Sequence, residues 1–216
     1  IQKGKPLAPD ERMKKVLTEA AAVGDVTARA IAYRLRDRAG YYFDNSNWRL
    51  PFFGGYRFEW QPGVANLDAA AFFFFLATGV TPAMDTAIVG EGSTYPWAAL
   101  DAKNQPLDGG RNYRLRLPRD VPAKTFWSAI VYSTQTRSML QTNQQFPSVS
   151  SQNKDLQTNA DGSVDVFFGP KAPAGKESNW VQTVPGQTWF MILRLYGPPE
   201  PWFKRTWLPG EIEPMP

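Results

Sequence analysis

Apolar positions along this chain recur first with a helical period and then with an alternating one. In "APDERMKKVLTEAAAVGDVTARAIAYRLRDRAG", residues 8–40, Met13, Val16, Leu17 and Ala20 fall at the spacing of an amphipathic helix. Pro9 suits a first helical turn, and Asp10 and Glu11 suit the positive end of the helix dipole. Gly24-Asp25 interrupts the pattern, and Asp25 is a fitting N-cap for a second helix through Ala28, Ile31 and Leu35. The pattern predicts an N-terminal helical pair, joined as a hairpin or as one kinked rod. Residues 40–63 are aromatic and turn-rich, so short strands and loops are expected there. "ANLDAAAFFFFLATGVTPAM", residues 65–84, predicts a buried helix that starts at Asn66 or Asp68 and is closed by Gly79 and Pro82.

From residue 95 the texture becomes that of strands. Tyr113, Leu115 and Leu117 alternate with Arg114 and Arg116, the mark of a half-buried strand. "TFWSAIVYS" (125–133) and "TWFMILRLYGP" (188–198) read as core strands, and "NADGSVDVFFG" (159–169) sets an Asp-Gly turn before another. Pro118, Pro122, Pro147, Pro170, Pro173 and Pro185 punctuate the runs, and no helical pattern intervenes. The expected fold is mainly β with α additions: an antiparallel, jelly-roll-like β-sandwich with the N-terminal helical pair beside it. Residues 1–94 would form a helical, aromatic-rich extension packed on the sandwich. Residues 95–216 would form the sandwich itself, its tail docked by Trp202, Phe203 and Trp207.

Two zeros in the composition narrow the chemistry. The 216 residues include no Cys and no His. Thiolate nucleophiles, Ser-His catalysis and His or Cys ligation of zinc, iron or copper are therefore excluded. The net charge of +4 is local, because residues 1–38 hold nine Lys or Arg against five acids and the rest balances. No basic-aromatic motif accompanies that excess, so it reads as a solvated helix face and not as a nucleic-acid footprint. The longest apolar run, residues 69–80, is about half of what a bilayer span needs. The opening "IQKGKPLAPDERMKK" lacks an initiator Met and a signal pattern, as expected of a stretch from within a longer protein.

The most unusual passage follows "FWSAIVY". From residue 133 to 153, fifteen of twenty-one residues are Ser, Thr, Asn or Gln, and Arg137 is the only charge. Such side chains can simply satisfy the backbone of a long connection. They can also form a neutral surface for a sugar or another polyhydroxylated ligand, with Arg137 orienting a carboxylate or sulfate. Candidate ligand-binding residues on the second reading are Tyr132, Gln135, Arg137, Gln141 and Asn143, joined by Asn179 and Trp180 of "GKESNW". The rival reading is a hydrolase of glycans or esters with paired carboxylates such as Asp161 and Asp165. Asp161 fits a turn with Gly162, and Asp165 alternates with Val164 and Val166, so both have plain structural explanations. No calcium-loop or phosphate-loop spacing occurs, and neither a cofactor nor a metal is expected.

The words "TRSML", "DGSVDV", "GKESNW" and "LRLYGP", set within residues 107–213, resemble the domain of unknown function 1214, and "FFFFLATGVTPAM" resembles the preceding stretch of its longer members. The resemblance implies a jelly-roll-type sandwich with helical additions, usually the C-terminal half of a protein that also carries the domain of unknown function 1254. It implies an exported protein of the bacterial envelope, and it brings no catalytic residues. The expectation is a non-catalytic binding or assembly domain. It would pair with the missing N-terminal domain or a neighbouring subunit, form homo-oligomers, and hold a small polar ligand near Arg137, with no nucleic acid and no membrane span.

Overall fold

The computed structural model describes residues 8–77 and 79–216. Its first element is α1 (Glu11–Tyr33), capped by Asp10, whose side chain accepts from the Met13 amide at 2.7 Å. The expected helical pair is one continuous 23-residue helix. Asp25 does not cap a second helix; its carboxylate meets Arg29, one turn on, at 2.9 Å. Gly24 costs about 1 kcal/mol relative to Ala, too little to break a helix continuous on both sides. In α2 (Leu67–Leu76) the Asn66 side chain accepts from the Ala69 amide at 2.9 Å, as the capping pattern predicted. The helix stops at Leu76, short of Gly79 and Pro82. A small hairpin, β1 (Glu59–Gln61) with β2 (Val64–Ala65), precedes it, and the short α3 (Pro82–Asp85) follows.

The strands build two sheets. In the first, β3 (Ser93–Thr94) and β4 (Trp97–Ala98) share one edge of β10 (Trp189–Tyr196), followed by β6 (Trp127–Ser133) and β7 (Ser148–Ser150). The second runs β11 (Ile212–Pro214), β5 (Tyr113–Leu117), β8 (Val164–Gly169), β9 (Trp180–Gln182). The molecule is mainly β, with antiparallel pairing throughout except at β8 and β9, which run parallel. That departs from an all-antiparallel fold. The connection 170–179, with its single 3-10 turn, carries the chain back alongside Phe167 in the middle of β8, so β9 enters in the same direction.

Alternation decides what faces what. On β10, Trp189, Met191, Leu193 and Leu195 enter the core between the sheets. Ala129 and Val131 of β6, Leu115 and Leu117 of β5, and Val166 and Phe168 of β8 meet them there. The other face of β10 turns Phe190 and Ile192 toward a second cluster, with Ala32 of α1 and Phe72 and Phe73 of α2. Three layers result: helices, first sheet, second sheet. The tail closes one end through buried Trp202 and Trp207, and the Trp207 indole donates to the Arg119 carbonyl at 3.1 Å. Among the described residues no helix is long and apolar enough to cross a membrane.

Candidate functional site

The polar passage leaves β6 and folds back on itself. The Arg137 amide donates to the Ser133 carbonyl at 2.8 Å, and the Ser133 amide donates to the Ser138 carbonyl at 2.9 Å. Arg137 sits in the left-handed region at φ 61°. Its guanidinium donates to the Gln135 carbonyl and lies 4.5 Å from the Phe75 ring centre. The fork is therefore engaged by its own loop and by α2. Gln135 is exposed and lines a hollow of about 320 Å³ with Arg29, Tyr33 and Arg34 of the α1 end, Thr134 and Thr188. There the Tyr33 hydroxyl donates to the Thr134 carbonyl at 2.9 Å, and burial pushes its pKa up to about 12. Tyr132 stacks on Phe190 with ring centres 5.2 Å apart, on the helix-covered face of the first sheet.

The remaining predicted residues lie elsewhere. Gln141 and Asn143 are exposed, and the Asn143 amide donates to the Gln182 side chain at 3.0 Å. Asn179 is buried beside the second sheet. Its NH₂ donates to the carbonyls of Gln157 (2.8 Å) and Asp165 (2.9 Å), and its oxygen accepts from the Gln157 amide at 2.8 Å. Trp180 donates to the Gly169 carbonyl at 2.9 Å. The candidates are thus divided between two sheets; Tyr132, Gln135 and Arg137 gather near the ends of α1 and α2, while Asn179 and Trp180 tie down β9.

The two carboxylates do not behave as an acid pair. Asp161 accepts from the Ser163 hydroxyl and from Arg116, each at 2.6 Å. The Ser163 hydrogen bonds, aided by Arg116, lower its pKa to about 2, so it holds no proton to donate near neutral pH. Asp165 accepts from the Asn159 amide group at 3.0 Å and faces away from the core. Among the described residues no three carboxylates gather closely enough to hold a metal ion.

Three features escaped the sequence reading. Arg49 is fully buried, donates to the carbonyls of Ala32 and Tyr33 at the end of α1, and lies 5.0 Å from the Trp97 ring centre. A cation inside the aromatic run "NWRLPFF" was the available signal. Gln144 covers the β9 edge: its NH₂ donates to the Trp180 carbonyl at 3.1 Å, and its oxygen accepts from the Gln182 amide at 2.7 Å. The third is α1 itself. Residues 11–27 are all exposed, with Met13, Val16, Leu17, Val23 and Val26 between 43% and 66% accessible. Only the last turns, near Ala32, are packed on the body.

Residues 92–200 match the family described as "Protein of unknown function (DUF1214)". No curated protein matches the chain significantly. Among solved structures, the chain is similar to the VPA0106 protein from Vibrio parahaemolyticus (18% identity, TM-score 0.53), over 98% of this chain and 48% of that one. It is also similar to an uncharacterised protein from Burkholderia cenocepacia (20% identity, TM-score 0.40), over 94% of this chain and 51% of that one. The chain spans about half the length of either structure.

Proposed function

We propose a role that starts from one premise: the chain belongs to the family of unknown function DUF1214. It acts as a non-catalytic assembly module, a β scaffold that presents α1 as a docking arm to a second folded unit of a longer polypeptide. The observation that carries this reading is the exposed arm. Residues 11–27 would extend about 25 Å at 1.5 Å per residue. A helix of that length is marginal in water unless its apolar stripe is covered. Met13, Val16, Leu17 and Val23 form the stripe. Covering them would contribute on the order of 4 kcal/mol if each gained about half of full burial. The solved relative of similar fold holds about as much chain again as this one, which is room for such a unit.

Hydrogen exchange tests this. In the isolated chain the amides of residues 13–27 should exchange with little protection, while those of β6 and β10 are strongly protected. In the full-length polypeptide the arm should become protected as well. Strong protection of the arm in a monomeric isolated chain would refute the reading. Self-association abolished by Leu17→Glu would transfer the docking role to a second copy. We also infer an envelope setting from the family resemblance, to be checked by fractionating cells that express the full-length protein.

A further inference from the structure

A second concave feature lies away from the polar loop and from the arm. Between the strap at residues 83–95 and the α4 tail (Glu200–Phe203) is a cleft of about 460 Å³. That volume is within the roughly 300–1,000 Å³ typical of small-molecule sites. Leu50, Phe52, Met84, Ile88, Trp202 and Phe203 supply apolar walls. The strap is fixed at both ends. Asp85 accepts from the Tyr56 amide at 3.1 Å, and the Gly90 amide donates to the Pro198 carbonyl at 2.8 Å. The opening is therefore built, not a gap under a loose loop.

One wall is polar in a specific way. Ser93 and Tyr95 line the cleft, and Arg194 of β10 stands behind them. The Tyr95 oxygen accepts from the Ser93 hydroxyl at 2.7 Å and from the Arg194 guanidinium at 3.2 Å. Both lone pairs are thereby used, and the phenolic proton has no acceptor among the described residues. Arg194 is held between the rings of Tyr196 (4.2 Å) and Tyr95 (4.9 Å), its Nε is buried without a partner, and it meets no carboxylate among the described residues. A positive charge in aromatic surroundings thus polarises a hydroxyl whose proton is free to be donated. The other charges on the lining are Asp85, engaged by the Tyr56 amide, and the exposed Glu91 and Arg205.

We propose that this cleft binds a monocarboxylate with an apolar body, the tail against Phe52, Ile88 and Trp202 and the carboxylate accepting from Tyr95 under the charge of Arg194. An ammonium head would leave the Tyr95 proton unmatched and would meet Arg194 as a like charge.

Titration calorimetry with octanoate, octanol and octylamine on the purified chain tests the proposal. Octanoate should bind saturably and more tightly than octanol, and octylamine should not compete. Tyr95→Phe keeps the ring under Arg194 and removes only the hydroxyl. It should weaken octanoate roughly tenfold or more, the effect of losing a hydrogen bond to a charged acceptor, while far-UV circular dichroism at the titration temperature shows the fold intact. Ile88→Trp, at an exposed wall position, should fill the cleft and abolish binding. Equal affinity for octanol, preference for octylamine, absence of saturable binding, or an unaffected Tyr95→Phe would each overturn the proposal.

Discussion

Replacing Arg49 by Met tests what fixes α1 to the first sheet. The guanidinium donates to the Ala32 carbonyl and, at 2.9 Å, to the Tyr33 carbonyl. Its carbon lies 5.0 Å from the Trp97 ring centre and 5.5 Å from that of Tyr41. Burial lowers its pKa from 12.5 to about 10, so the group stays charged at neutral pH. That depression corresponds to about 3 kcal/mol against the folded, charged form. Because a basic group is depressed, the cost is fully present below pH 10 and lifts only above it, so neutral melts report all of it. Opposing it are two charge-assisted hydrogen bonds of roughly 1.5–3 kcal/mol each and ring contacts of about 1–2 kcal/mol. Met removes the burial cost and keeps apolar contact, but it leaves two helix-end carbonyls unpaired at about 1–3 kcal/mol each. The net expectation is a loss of roughly 3 kcal/mol or more. Urea unfolding followed by far-UV circular dichroism and tryptophan fluorescence measures it, and Arg49→Lys, which cannot fork, should lose an intermediate amount. A Met variant as stable as the parent would refute the reasoning: desolvation would then outweigh the bonds, as at many buried ion pairs.

Other expectations follow from single contacts. The folded pKa of Asp161 is about 2 against an ordinary 3.8, so its stabilisation is present above the ordinary value and lost as pH falls toward the folded one; Asp161→Asn should flatten the acid limb of stability in that window. Gln144→Ala uncovers the Trp180 carbonyl and the Gln182 amide, which should cost roughly 1–2 kcal/mol in urea and raise edge-to-edge association by light scattering. In buried Gly109 an added Cβ would lie 2.1 Å from the Val184 carbonyl oxygen, so Gly109→Ala should lose roughly 2 kcal/mol or more, measurable as a lowered melting temperature.

Where burial follows strict alternation, the sequence was readable. Tyr113, Leu115 and Leu117 are buried between Arg114 and Arg116, which pair with Glu213 of β11 and with Asp161 in the turn before β8. The Phe-rich helix was legible through its cap at Asn66. Gly24 misled, because a glycine weighs little against intact turns on either side. The parallel β9 was hidden, since its three residues carry no directional mark and only the return path of the chain sets its sense. Site geometry was least accessible. Gln135 and Arg137 are near neighbours in sequence, yet one lines a hollow while the other is turned onto Phe75. The cleft beside Tyr95 depends on the loop at residues 50–52, the strap and the tail, three distant segments.

Strand β10 serves the inter-sheet core with Met191 and the helical cluster with Phe190 and Ile192, successive side chains on opposite faces. Neither cluster can come apart without exposing half of the same strand. The helical and sheet layers are therefore thermodynamically inseparable, and calorimetry should record one heat-absorption peak, with van't Hoff and calorimetric enthalpies in agreement.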